Sequence, residues 1–288
     1  HAQGKVVLLS LGGATGWIRL TDNTQRDLFI NSINAIFTRF GNKIDGIDLD
    51  LETSNSMGFG AWTMSSPAVG QTNMVNAVKS IMATYQTTNG KKMILTAAPE
   101  VVYLMGGLSE WQVANVNGGA FLPILDGLRN EIDMVFMQCY NAGGASGGVY
   151  AWDGNLYYDG GAGIINFVLA MNESLIKGFT CVSGKGVWNP FPANKVAFGL
   201  LSNADPSTGG TGYLNNTQIC EAARYFKGEI AKPASISYTM NASRPGLRGL
   251  MTWSINQDLN YSAPAWNFAI GYPCAFPISA LPPVADYT

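Results

Sequence analysis

Residues 45–52 read Asp45-Gly46-Ile47-Asp48-Leu49-Asp50-Leu51-Glu52, and the alternation within this stretch decides the fold. In a β-strand, residues two apart share a face. Asp48, Asp50 and Glu52 therefore point to one side, and Ile47, Leu49 and Leu51 to the other. The apolar row can lie under helices. The acidic row needs a cleft or a barrel interior. Carboxylates spaced roughly 7 Å apart along one strand repel one another, so not all of them ionise cheaply. Burying an unpaired carboxylate is costly, whereas an acid catalyst benefits from the raised pKa that burial brings. A solvated edge strand would not be flanked by Ile, Leu and Leu. An oxygen-only Ca²⁺ or Mg²⁺ site is the other alternative, but the loop pattern of calcium motifs is missing.

Outward from this strand, six short apolar runs alternate with longer helical patterns. The runs are Lys5–Ser10, which leads into Gly12-Gly13, then Ile44–Leu51, Lys92–Ala98, Ile132–Tyr140, Lys195–Leu201 and Leu247–Ile255. Helical spacing predicts Thr24–Phe40, with Leu28, Phe29, Ile33, Ile36, Phe37 and Phe40 on one stripe. It also predicts Gln71–Tyr85, with Met74, Val75, Val78, Ile81 and Met82 as the apolar face, together with Phe121–Arg129, about Ile164 to Leu175, and a helix near Thr217–Gly228. A Gly-rich loop covers Asn141–Gly163. Strand–helix alternation makes a parallel sheet the default, and nearly continuous apolar strands argue that both faces are covered. Pattern alone admits either a (β/α)₈ barrel, which needs eight strands, or an open doubly wound sheet. No GxGxxG or GxxxxGK[ST] follows the first strand, which disfavours nucleotide binding. The Pro-rich tail from Ala263 onward is predicted to wrap over the surface as extended chain, and residues 1–288 are read as one domain.

Of the 288 residues 12% are charged, against about 25% in an average domain, so the surface is polar through Asn, Ser, Thr, Gln and Gly. A net charge of −2 provides no footprint for nucleic acid and no patch for an anionic membrane. No apolar run approaches ~18 residues, the length that would suggest a membrane span. The single histidine is His1, which removes Ser-His-Asp and Cys-His chemistry and argues against zinc or non-haem iron. Catalysis must then run on carboxylates, Tyr, Lys or Ser, with no metal and no cofactor expected. Cys139, Cys181, Cys220 and Cys274 are widely spaced, and their three full disulfide pairings stay open. Cys139 alternates with Gln138 and Tyr140, so it is expected to face the helical layer as a buried free thiol. Asn172, Asn215, Asn241 and Asn260 begin glycosylation-type tripeptides. The chain opens with neither an initiator Met nor a signal peptide, and is read as processed, truncated or partly represented.

The segment DGIDLDLE resembles the DGxDxDxE signature of family-18 glycoside hydrolases, the chitinases and endo-β-N-acetylglucosaminidases, at every signature position. Ser10-Leu11-Gly12-Gly13 is similar to that family's SxGG at the end of barrel strand three, and Gln138-Cys139-Tyr140-Asn141 to its QxYN at strand six. Thr96-Ala97-Ala98-Pro99 resembles the strand-five segment, and Trp253 the tryptophan that ends strand eight. This likeness runs from residue 5 to about 258 and implies a (β/α)₈ barrel. In that register the first run is strand three, so strands one and two are expected upstream of His1, and without them the sheet would show two open edges.

The resemblance also implies roles. Glu52 would be the general acid. Asp50 would orient the substrate's N-acetyl group, which attacks the anomeric carbon to give an oxazolinium ion, and Asp48 would share a proton with Asp50. The Tyr140 hydroxyl would bond the acetamido oxygen. Gln138 and Asn141 would add polar contacts, Trp253 would floor the sugar, and Gly12 and Gly13 would border the substrate. Among Trp17, Trp62, Trp111, Tyr103, Trp152 and Trp188, one or two are expected to stack on sugars. Ser202–Pro245 leaves no room for the small α+β insertion of larger relatives, which implies an open groove and endo-type cutting. The implied activity is a secreted, monomeric endo-chitinase whose partner is chitin or N-acetylglucosamine oligosaccharides, with neither nucleic acid nor membrane. An endo-β-N-acetylglucosaminidase acting on glycoprotein glycans is the alternative enzyme. A non-catalytic chitin-binding lectin on the same barrel is the alternative of another class, and Glu52 stands against it.

Overall fold

A computed structural model describes residues 5–52, 56–142, 148–203, 211–260 and 266–277. Four strands open the order, β1 (Leu8–Gly12), β2 (Gly46–Asp50), β3 (Ile94–Ala97) and β4 (Met134–Gln138). Two short hairpins follow, β5 (Val149–Tyr150) with β6 (Leu156–Tyr157), and β7 (Phe179–Cys181) with β8 (Gly186–Trp188). Then come β9 (Val196–Leu201) and β10 (Gly249–Trp253). The helices are α1 (Asn23–Phe40), α2 (Val69–Asn89), α3 (Val102–Met105), α4 (Glu110–Val116), α5 (Leu122–Gly127), α6 (Ile164–Lys177), α7 (Asn216–Lys227), α8 (Ile255–Asn260) and α9 (Asn267–Ala275).

The main sheet has the order β1-β2-β3-β4-β9-β10, and every neighbouring pair is parallel. A doubly wound sheet reverses its order midway. Here each new strand joins the same side, which is the winding of a (β/α)₈ barrel. Among the described residues β1 and β10 are the two outer strands and do not pair with each other. The further strands expected before His1 fall outside what is described.

The alternation in β2 is realised as read. Ile47, Leu49 and Leu51 have no exposed surface and join one core with Ile33 and Phe37 of α1 and Met74, Val78 and Ile81 of α2. Fully burying each such aliphatic side chain contributes roughly 1.5–3 kcal/mol. Tyr85 of α2 donates its hydroxyl to the Ile44 carbonyl at 3.0 Å and meets the Phe37 ring edge-on at 5.1 Å, which ties both helices to the start of β2. Helix α1 begins where the Asp22 carboxylate accepts the Gln25 N–H at 2.9 Å.

Several expectations change. Leu28 and Phe40 of the α1 stripe are 61% and 48% exposed, because the buried strip of this helix narrows to Ile33 and Phe37. The hairpin β5–β6 breaks the Gly-rich stretch read as loop, and the hairpin β7–β8 and the short helices α3 and α4 are elements the sequence pattern does not predict. The extended path predicted for the tail does not hold over residues 267–275, which form α9. Asp258 accepts the Phe268 and Ala269 N–H groups at 2.8 and 3.1 Å, and Phe268 and Ala275 are buried. Residues 278–288 lie outside the described chain. Asn172 has no exposed surface, so the folded chain cannot present it for glycosylation. Cys139 is a buried free thiol, as is Cys181.

Among the described residues one disulfide, Cys220–Cys274, joins α7 to α9 with Cα atoms 5.4 Å apart and a sequence separation of 54. Closing a loop of that length restricts the unfolded chain, a stabilisation of about 2–4 kcal/mol. The double substitution Cys220→Ser with Cys274→Ser should lower unfolding stability by that amount in denaturant titration. Reductant should lower the stability of the parent chain and leave that of the variant unchanged.

Candidate active site

Parallel register brings Ser10 and Thr96 to either side of Asp48. Ser10 donates its hydroxyl to Asp48 Oδ2 at 3.1 Å, and Thr96 donates to Asp48 Oδ1 at 2.5 Å. Burial pushes the Asp48 carboxyl above the usual carboxylate range, and these two hydrogen bonds oppose the shift.

One step along the strand, Asp50 pairs in register with Gly12. Gly12 has φ +120°, and a Cβ there would lie 2.1 Å from the Asp50 carbonyl oxygen. The Gly13 N–H donates to that same oxygen at 2.7 Å. The glycine pair therefore lets β1 end directly against the backbone of Asp50 and leaves its carboxyl uncovered. The Asp50 pKa is pushed up to about 8, first by burial, then by the charge of Glu52 and the hydrogen bond to it, then by the charge of Asp48. Hydrogen bonding from Gln138 works in the other direction.

Gln138 sits at the end of β4, with Cys139 on the opposite face. Its amide nitrogen lies 2.9 Å from Asp50 Oδ1, 2.8 Å from Glu52 Oε1 and 2.9 Å from the Ala98 carbonyl. Tyr140, 8% exposed, follows on the same face. Burial raises its hydroxyl pKa, and the charges of Asp50 and Glu52 raise it further, so the phenol stays a donor across the useful pH range. Cys139 is pushed up to about 12, chiefly by burial, and is inert as a nucleophile. Asn141 occupies a left-handed turn with φ 52°.

These groups line a cavity of about 360 Å³ at the C-terminal ends of the strands. It brings together Gly13, Asp48, Asp50, Glu52, Gln138, Tyr140, Asn141 and Trp253. Gly12 is not among the lining residues and contributes through its close approach to the Asp50 backbone. Trp253 is 53% exposed, a flat apolar surface at the opening. Ser10, Glu100, Phe136 and Met251 also line the cavity and were not singled out as site residues. Phase could have found two of them: Phe136 lies two residues before Gln138, and Met251 two before Trp253, so each faces the interior. No Lys, Arg or His is among the described residues that line it, so no cation offsets the repulsion that helps raise the Asp50 pKa. Of the loop aromatics, Trp62, Tyr103 and Trp188 are buried, which removes them as open sugar platforms, while Trp17 and Trp111 are 63% and 66% exposed. Among the described residues no group of His, Cys, Asp or Glu side chains is arranged to hold a metal ion, and no helix is long and apolar enough to cross a membrane. The arrangement can deliver a proton beside a buried acidic row and hold a neutral polar group against it.

The profile of Glycosyl hydrolases family 18 matches residues 1–258. Chitinase ChiA of Flavobacterium johnsoniae is 35% identical over 263 residues, 88% of this chain and 16% of that protein. Chitinase D of Niallia circulans is 35% identical over 264 residues, 90% of this chain and 47% of that protein. The chain thus spans less than half the length of these curated relatives. The crystal structure of a family GH18 chitinase from Chromobacterium violaceum superposes with a TM-score of 0.73 at 33% identity, covering 95% of this chain and 65% of that one. The winding order and this likeness together give the (β/α)₈-barrel class expected from the sequence.

Asp50 also links proton binding to stability. Its pKa rises from 3.8 unfolded to about 8 folded, so between those values the native state binds the extra proton. Stability attributable to Asp50 is then fully present below pH ~4 and is lost as pH rises towards 8, with a limiting slope of about 1.4 kcal/mol per pH unit for one proton. Unfolding free energies measured from pH 4 to 8 should decline less steeply in Asp50→Asn than in the parent chain. Parallel profiles would overturn the assignment of that proton.

Proposed function

The chain belongs to family 18 of the glycosyl hydrolases, and from that premise we propose that it is an endo-chitinase cleaving β-1,4 bonds between N-acetylglucosamine units with retention of configuration. The observation that carries the reading is the single Gln138 amide bonded to both Asp50 and Glu52 in an acid-rich cavity bounded by Tyr140 and Trp253. Glu52, beyond the end of β2, is the general acid that protonates the leaving glycosidic oxygen. Asp50 and the Tyr140 hydroxyl hold the acetamide of the bound sugar so that its carbonyl oxygen attacks the anomeric carbon. The C–O bond to the leaving sugar breaks as the oxazolinium ring closes. Water then opens the ring with Glu52 acting as base, and the two inversions sum to retention. Asp48 lies deeper, buried between two hydroxyls, and takes up the Asp50 proton as positive charge develops on the acetamide. Trp253 supplies the apolar floor, and Gln138 and Asn141 add polar contacts.

A covalent double displacement would need a nucleophilic carboxylate across the sugar, about 5 Å from the acid. Asp50 instead closes β2 two residues before Glu52 and lies under the same amide, a position that suits holding a neighbouring group. Tyr140 and Asp50 fix that group in line, and such positioning supplies several kcal/mol of barrier lowering. The Cys220–Cys274 bridge fits a secreted protein in an oxidising compartment.

Glu52→Gln preserves shape and removes the proton donor. Its turnover of chitin oligomers should fall by about 10²–10⁴-fold while binding persists, as read by initial rates and calorimetry. Turnover near that of the parent chain would end the assignment. Chitin, fully deacetylated chitosan and cellulose oligomers of equal length separate the mechanism from the fold. Only the N-acetylated substrate should be cut, with the β-anomer released first by NMR. Comparable cleavage of chitosan would remove the acetamide as nucleophile.

A further inference from the structure

Asp159 stands outside the acidic row and takes no part in the proposed chemistry, yet it is only 2% exposed. Its Oδ2 accepts the Ala142 N–H at 2.6 Å and the Thr211 hydroxyl at 2.5 Å. A buried carboxyl group is accommodated where hydrogen bonds offset the loss of its contacts with water. These two bonds join the turn after β4 to the segment that follows β9.

The same two segments meet again around Tyr140. The Asn141 N–H donates to the Thr211 carbonyl at 3.0 Å. Gly212, at φ +111°, lies against Tyr140 so closely that a Cβ there would sit 2.5 Å from both Tyr140 Cα and Cβ. The segment is fixed in turn by a parallel bridge between Leu201 at the end of β9 and Tyr213. The peptide that carries Tyr140 is thus held by Thr211 and Gly212, and Asp159 locks Thr211 to the next residue but one.

We infer that Asp159 is a positioning residue, setting the Tyr140 hydroxyl in the cavity by clamping the Asn141–Ala142 turn to Thr211. This rests on the reading that Tyr140 holds the substrate acetamide. Because one oxygen accepts both bonds, an amide oxygen in its place can accept them too, and a methyl group cannot.

The test is kcat and KM on N-acetylglucosamine oligomers for Asp159→Ala, Asp159→Asn, Tyr140→Phe and the double variant Asp159→Ala with Tyr140→Phe. Asp159→Ala should lower kcat by about 10–100-fold with little change in KM, the size expected for a misplaced catalytic contact. Asp159→Asn should keep most of kcat. The double variant should be no slower than Tyr140→Phe alone, because the two changes remove one effect. Should Asp159→Ala not fold, Thr211→Val, which lacks the hydroxyl donor, takes its place in the same cycle, with Thr211→Ser as the rescuing variant. Additive losses, or an Asp159→Asn variant as slow as Asp159→Ala, would overturn the inference alone. A Tyr140→Phe variant with unchanged kcat would overturn the reading of Tyr140 and the inference with it.

Discussion

An amide nitrogen carries two hydrogens, and that of Gln138 faces three oxygens within 2.9 Å, on Asp50, Glu52 and the Ala98 carbonyl. This shared donor is the constraint around which the site is organised. It holds two carboxyl groups together that would otherwise repel each other, and it does so without a cation that would drive both to ionise. The contact to Asp50 spans 88 residues of sequence. Only the adjacency of β2, β3 and β4 closes that distance, so the parallel strand order is a precondition of the site. The opposite face of β4 carries its share: Cys139 accepts the Asn172 amide of α6 at 3.3 Å and keeps Gln138 in phase.

Depth grades the acidic row. Asp48 is enclosed by two hydroxyls, Asp50 holds a proton into the neutral range, and Glu52 lies past the strand end. Burial and the nearby carboxylates also keep the phenols of Tyr140 and Tyr103 protonated. Near neutral pH the site is therefore a set of neutral donors around a small number of negative charges, suited to a substrate that is uncharged until it reacts.

Much of this was legible in the sequence because a period of two is a strong signal. Asp48, Asp50, Gln138 and Tyr140 alternate with fully buried Ile47, Leu49, Met137 and Cys139, and the six strands follow the same logic. What was hidden depends on contacts between distant segments. Strands of two residues, such as Val149–Tyr150, are too short to show a period. Helix α9 contains Pro273, which reads as a breaker, and it is held by Asp258 and by a disulfide to Cys220, neither of which leaves a local mark. Asp159 sits in a Gly-rich stretch where an acidic residue reads as solvated loop. Its burial follows from Thr211, 52 residues away.

The Cys220–Cys274 bridge also determines how the molecule carries load. Any tension applied beyond residue 274 crosses the sulfur–sulfur bond to α7 and bypasses the chain between the two cysteines. That bypassed stretch contains β10 and Trp253. A barrel pulled through its C-terminal end would thus be loaded without peeling off the outer strand that bears Trp253. In mechanical terms the bridge is a strain relief for the edge of the cavity.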